Sequence, residues 1–147
     1  MWYALAALLL FLALRMRSDA PTASGVSGGC SLDTRRALGA AIQQMEGWSP
    51  GTRSYRNNNP GNLRYVGQPG AIGKDDAGFA QFPDFDTGFN ALLRQIDLYC
   101  QRGLTLAGMT AIYAPSSDGN DPFAYAQFLA NRLGVTVDTK LTDIRVS

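Results

Sequence analysis

The chain has no histidine, two cysteines, two lysines and a single glutamate, Glu46, among its 147 residues. Without histidine there can be no Ser-His-Asp or Cys-His nucleophile pair and no histidine-containing zinc site, and two cysteines cannot complete a four-thiolate site. Neither a metal nor a cofactor is called for. Glu46 and the aspartates are the acid–base groups that remain, so cleavage by carboxyl groups is the natural enzymatic chemistry. An excess of one charge is also lacking: the net charge is +1, which argues against a nucleic-acid partner held by bulk electrostatics. The cations are mostly arginine, and Arg53, Arg56 and Arg64 suit either an anionic polymer or a solvated surface.

Residues 1–14 carry no charged side chain, and Arg15 and Arg17 close the run. This is shorter than the roughly 20 residues of a full membrane span, and it lacks the basic start of a secretory signal. We read residues 1–17 as an N-terminal hydrophobic helix acting as membrane anchor or signal-anchor, with a cleaved signal as the alternative. Arginines after the run would keep the following domain cytoplasmic, whereas placement in a virion membrane would evade that rule. Residues 18–30, rich in Ser, Gly, Ala and Pro, form a flexible linker that spans at most about 40 Å. Cys30 and Cys100 are compatible with a disulfide in an oxidising compartment or with two free thiols.

Residues 31–147 form one domain, mostly helical α+β with a small β-hairpin. Ser31 is an N-cap candidate, Asp33 is favourable in the first turn, and Leu38, Ala41, Ile42 and Met45 recur at helical spacing up to Gly47. Turn formers dominate residues 49–62 and exclude a regular element there. Residues 63–66 and 79–82 are the expected strands of the hairpin, with Asp75 and Asp76 near its tip. Asp86 or Thr87 caps a second helix with Phe89, Leu92, Leu93, Ile96 and Tyr99 on one face. Further helices are expected over 106–113 and 122–133, the latter with Pro122 at its start and Gly134 at its end. The tail from residue 135 alternates weakly and receives no assignment.

The chemistry concentrates around Glu46. It ends the first helix beside its apolar stripe, a position from which a carboxyl can serve as general acid. The following segment, Arg-Asn-Asn-Asn-Pro-Gly-Asn-Leu-Arg-Tyr over 56–65, is well placed to wall a cleft. Its asparagine amides donate and accept hydrogen bonds, which suits sugar hydroxyls and N-acetyl groups, and they also stabilise tight turns. Gln81 alternates with Phe82 and should point away from it; Phe79 and Phe82 suit a core better than a sugar platform. Tyr113 ends a helix from which it could lean on the Glu46 carboxyl.

This order of features resembles the lysozyme-like superfamily of peptidoglycan-cleaving enzymes, and within it the phage and bacterial lytic transglycosylases. The features are a helix ending in Glu46-Gly, then Asn-Asn-Pro-Gly-Asn-Leu, then Gly78-Phe-Ala-Gln-Phe82, then Ile112-Tyr113-Ala-Pro. In that family a glutamate ends a buried helix, a Gly-Leu-Met-Gln motif lines the cleft and a tyrosine of an Ala-Tyr-Asn-Ala-Gly motif approaches the acid. Glu46 matches the first, Gln81 with its neighbours matches the second, and Tyr113 matches only the tyrosine of the third. The Asn-rich stretch is also similar to that of bacterial N-acetylglucosaminidases. The likeness covers about residues 31–134.

What the resemblance implies is cleavage of the β-1,4 bond between N-acetylmuramic acid and N-acetylglucosamine by Glu46, with Asn58, Asn59, Asn62, Tyr65, Gln81 and Tyr113 binding substrate. The expected partners are peptidoglycan glycan strands, a membrane through residues 1–14, and proteins of a virion or envelope complex. The domain would face the periplasm or the cell wall. A hydrolase would need a second carboxylate, about 5–5.5 Å away for retention or about 6.5–9.5 Å for inversion, and Asp75, Asp76, Asp84 and Asp86 are its candidates. A non-catalytic wall-binding or structural virion protein is the third reading.

Overall fold

A computed structural model describes residues 28–146. The expected anchor over 1–17 and nearly all of the expected linker lie outside the described residues. Among the described residues, five α-helices, two short strands and two 3-10 turns follow in the order α1 (Leu32–Met45), α2 (Arg53–Arg56), β1 (Gly73–Lys74), β2 (Ala80–Gln81), α3 (Phe85–Gln101), α4 (Leu106–Tyr113), a turn at Ser116–Asp118, α5 (Pro122–Leu133) and a turn at Leu141–Asp143. The domain is mostly helical α+β, with one two-stranded antiparallel sheet. Among the described residues no helix is long and apolar enough to cross a membrane.

Ser31 caps α1 by accepting from the Thr34 amide at 3.0 Å, and Asp33 lies in the first turn. One face of α1 buries Leu38, Ala41 and Ile42 against α3 and α5. Helix α3 buries Leu92, Leu93, Ile96 and Tyr99 as its spacing predicts, with Phe89 packed at the margin of the core. Its cap is Asp84, not Asp86 or Thr87: the Asp84 carboxylate accepts from the Thr87 amide at 2.7 Å, and Asp86 sits inside the first turn. Helices α4 and α5 have the expected bounds and pack on each other. Cys30 and Cys100 form a disulfide that joins the entry of α1 to the end of α3.

Two local expectations are corrected. Residues 49–62 are not wholly irregular, because Thr52 accepts from the Tyr55 amide and caps the single turn α2. The hairpin also pairs differently. Ala80–Gln81 is hydrogen-bonded to Gly73–Lys74, while residues 63–66 join only through an Arg64–Phe79 bridge on the other edge. Asp75 explains the shift. Its carboxylate accepts from the Phe79 amide at 2.9 Å and the Ala77 amide at 3.0 Å, closing a tight turn that pairs the residues immediately around it. These amides, the Phe79 one foremost, hold the Asp75 carboxyl below its ordinary value.

The unassigned tail completes the core. Leu141 and Ile144 are fully buried, the Leu141 amide donates to Leu104 at 2.9 Å, and the Thr34 hydroxyl donates to the Ile144 carbonyl at 3.0 Å.

The Asn-rich loop lies directly on α3. A Cβ at Gly88 would stand 1.8 Å from the Asn58 carbonyl oxygen, and one at Gly61 would stand 2.7 Å from the Tyr113 hydroxyl and 2.8 Å from Leu92. Gly88→Ala must therefore push backbone off backbone. We expect it to destabilise the domain by about 3 kcal/mol or more, read as a lowered urea midpoint; a change under about 1 kcal/mol would mean that the loop is not seated on α3.

Candidate active site

Glu46 is the C-cap residue of α1, its amide donating to the Ile42 carbonyl at 2.8 Å. Its half-buried side chain opens into a cleft of about 1010 Å³ between the helices and the hairpin lobe. Two neutral groups hold the carboxyl. Tyr125 donates its hydroxyl to Oε1 at 2.7 Å, and the Asn62 side-chain amide donates to Oε2 at 2.8 Å.

Each partner is positioned by a separate part of the fold. Tyr125 is buried on the face of α5 that also buries Ala126, Leu129 and Ala130. Asn62 has φ +46° and Asn58 has φ +48°, left-handed conformations that asparagine tolerates better than other side-chain-bearing residues. Tyr113 donates its hydroxyl to the Gly61 carbonyl, so it fixes the residue next to Asn62. The rings of Tyr99, Tyr113 and Tyr125 meet edge to face, with centroids 6.5 and 6.1 Å apart.

Burial first, then the Glu46 charge, raises Tyr113 well above the usual tyrosine range. Tyr125 is raised by burial first, then by Tyr113 and Glu46. Both phenols therefore resist ionisation in the folded protein. The Oδ1 of Asn62 is buried and has no hydrogen-bond partner among the described residues.

Three of the seven sequence candidates, Glu46, Asn62 and Tyr113, line this cleft. The other four do not. Asn59 is fully buried and binds both backbone groups of Leu63 and the Ala80 carbonyl. Asn58 donates to the Phe82 carbonyl at 3.1 Å. Gln81 points away from buried Phe82 and toward Asn57, and Tyr65 is exposed outside the cleft lining. The asparagines thus divide, two building the loop and one reaching the carboxyl. Phe79 is neither deep core nor a bare platform: it lines the cleft with Arg53 and Arg64 each 4.3 Å from its ring centre.

Tyr125 was missed in the sequence. The available signal was a tyrosine on the small-residue stripe of a helix, a buried hydroxyl that requires a partner. Nothing local shows that the partner lies 79 residues away.

The aspartates expected as second carboxylates are elsewhere. Asp75 closes the hairpin turn, Asp84 caps α3, and Asp76 and Asp86 are exposed. The acids that do line the cleft with Glu46 are Asp97 and Asp118, facing Arg35 at 3.9 Å and Arg64 at 3.3 Å. Among the described residues no group of three or more His, Cys, Asp or Glu is arranged to hold a metal ion. Comparison with protein-family models, curated proteins and solved structures returns no match.

The raised tyrosines have a measurable consequence. Above the ordinary tyrosine value of 10.0 the unfolded chain ionises both phenols while the fold keeps them neutral. The stability they contribute is complete below that pH and is lost progressively above it. In an alkaline absorbance titration Tyr113 and Tyr125 should ionise only with unfolding, and Tyr125→Phe should remove amplitude from that step alone. Amplitude lost from the earlier reversible phase would instead mean that Tyr125 is open to solvent.

Proposed function

We propose that this chain is a peptidoglycan lytic transglycosylase with a lysozyme-like domain, and that Glu46 serves first as acid and then as base. The observation that carries the reading is one carboxyl, at the end of a packed helix, facing an open cleft and oriented by two neutral hydrogen-bond donors. Glu46 protonates the glycosidic oxygen between N-acetylmuramic acid and N-acetylglucosamine. The resulting carboxylate takes the proton from the C6 hydroxyl of the muramic acid, whose oxygen closes a 1,6-anhydro ring at C1. The substrate N-acetyl carbonyl stabilises the cationic sugar, so one protein carboxylate suffices.

The lone-pair positions of a carboxylate outnumber its two protein donors, leaving others for the glycosidic and C6 oxygens. Tyr125 and Asn62 orient the acid, and Tyr113 acts through the loop that carries Asn62. The absence of Asp75, Asp76, Asp84 and Asp86 from the cleft lining favours this reading over hydrolysis with one of them as partner. In the same reading residues 1–14 attach the chain to a membrane, and the domain meets the glycan strands of the wall from a virion or an envelope complex.

The test is mass spectrometry of muropeptides released from purified peptidoglycan by the full chain. Anhydro-muramic ends are expected. Glu46→Gln should lower their release by at least about 100-fold, and Tyr125→Phe by about tenfold, the loss expected for one buried hydrogen bond to a charged group. Reducing ends would identify a hydrolase and direct attention to Asp97 and Asp118. Sacculi that are bound but not cleaved would identify a wall-binding protein.

A further inference from the structure

The cleft continues well beyond Glu46. Arg35 precedes it by eleven positions along α1, an axial distance of about 16 Å, yet lines the same cleft. The same lining includes Arg94, Asp97 and Leu98 of α3 and Pro69 of the loop. Arg94, Asp97 and Leu98 share one face of α3 by their spacing, and Asp97 lies 3.9 Å from the Arg35 Nε.

The hydrogen bonding in this arm is incomplete. The Arg35 Nε is buried and has no hydrogen-bond partner among the described residues, since 3.9 Å to Asp97 is too long for one. Arg94 donates one Nη2 bond to the Pro69 carbonyl at 2.7 Å and forms no ion pair among the described residues. A guanidinium has five N–H donors and no acceptor. The one aspartate here, Asp97, faces Arg35 and also accepts from Gln101 at 2.9 Å. Leu98, 53% exposed, supplies an apolar flank beside these charges.

We propose that this arm is a second binding site for a carboxylate on a short peptide branching from the glycan strand, with Arg35 and Arg94 as its specificity-determining residues. The inference rests on the peptidoglycan reading and narrows its substrate to strands that carry peptides. A carboxylate matches the planar fork of a guanidinium, which an uncharged sugar does not. The distance from Glu46 places the contact on a substituent away from the bond being cleaved. The exposed leucine suits the small aliphatic side chains of such a peptide. Asp97 opposes a bound carboxylate, but at 3.9 Å it leaves the Arg35 Nε without a hydrogen bond.

The test is calorimetric titration of the full chain with a soluble glycan fragment bearing its peptides and with the same fragment after amidase removal of those peptides. The peptide-bearing fragment should bind about five- to tenfold more tightly, the modest end for charge-assisted contacts at partly exposed arginines. Arg94→Gln and Arg35→Gln should each bring that ratio close to one, and Arg94→Lys should leave it intermediate, because lysine keeps the charge and loses the fork. An unshifted melting transition identifies the folded variants, and exposed Arg94 is the safer of the two sites. Equal binding of the two fragments by the parent chain, or a ratio unmoved in folded Arg94→Gln, overturns the inference. Because binding is the readout, either result leaves the functional reading standing; that reading falls only if Glu46-dependent cleavage is absent.

Discussion

The fully buried side chain of Asn59 is the interaction on which the site depends. Its amide donates to the Leu63 and Ala80 carbonyls, and its Oδ1 accepts from the Leu63 amide. One side chain thereby satisfies backbone groups of two segments that do not form a regular ladder with each other, because residues 63–66 meet the other segment through the single Arg64–Phe79 bridge. Buried backbone groups left unpaired would cost about 1–3 kcal/mol each. With that clasp made, the backbone from Asn58 to Asn62 has one course. It presses on α3 at Gly88 and meets Tyr113 at Gly61, and Asn62 emerges beside Glu46. The catalytic geometry proposed for Glu46 is thus set by a residue that does not line the cleft.

Helix α1 is anchored differently at its two ends. The start is fixed by the disulfide and by the Thr34 bond to the tail. The end is fixed by bonds to the Glu46 carboxyl itself, from α5 and from the loop. Closing a loop of about 70 residues restricts the unfolded chain by an amount worth about 4 kcal/mol in the entropic account. That covalent restraint lies at the opposite end of α1 from Glu46, so the groups around Glu46 need not supply the domain's stability.

Local chemistry carried most of what was legible in the sequence. Helices 106–113 and 122–133 were readable because proline and glycine mark their limits. Glu46 stood out by being alone. The errors lie where a side chain competes with a nearby rule. Asp84 took the cap that Asp86 or Thr87 could have formed. Thr52 nucleated a turn inside a run of turn formers, and Asp75 tightened the hairpin around itself. The roles of Asn58, Asn59 and Asn62 could not be separated in sequence, since clasping a loop and facing a ligand use the same amide. Tyr125 was invisible for a different reason: its partner is defined by the packing of α5 on α1, which periodicity indicates only as a buried face.

The choice of neighbours around Glu46 has a chemical logic of its own. A lysine or arginine bonded to this carboxyl could only donate, and would hold it in the ionised form. Tyrosine and asparagine side chains can each donate or accept. With the carboxylate present, both donate, as the structure shows. With a proton on Oε1, the Tyr125 oxygen can accept it in a hydrogen bond without moving. With a proton on Oε2, rotation of the Asn62 amide would present its Oδ1, the atom that otherwise lies buried without a partner. Arg53, although it lines the same cleft, is diverted to Asp75 and the face of Phe79. The reaction proposed for Glu46 has its carboxyl give up a proton and then take one, and neutral groups able to reverse their hydrogen bonds serve both states where a fixed cation would not.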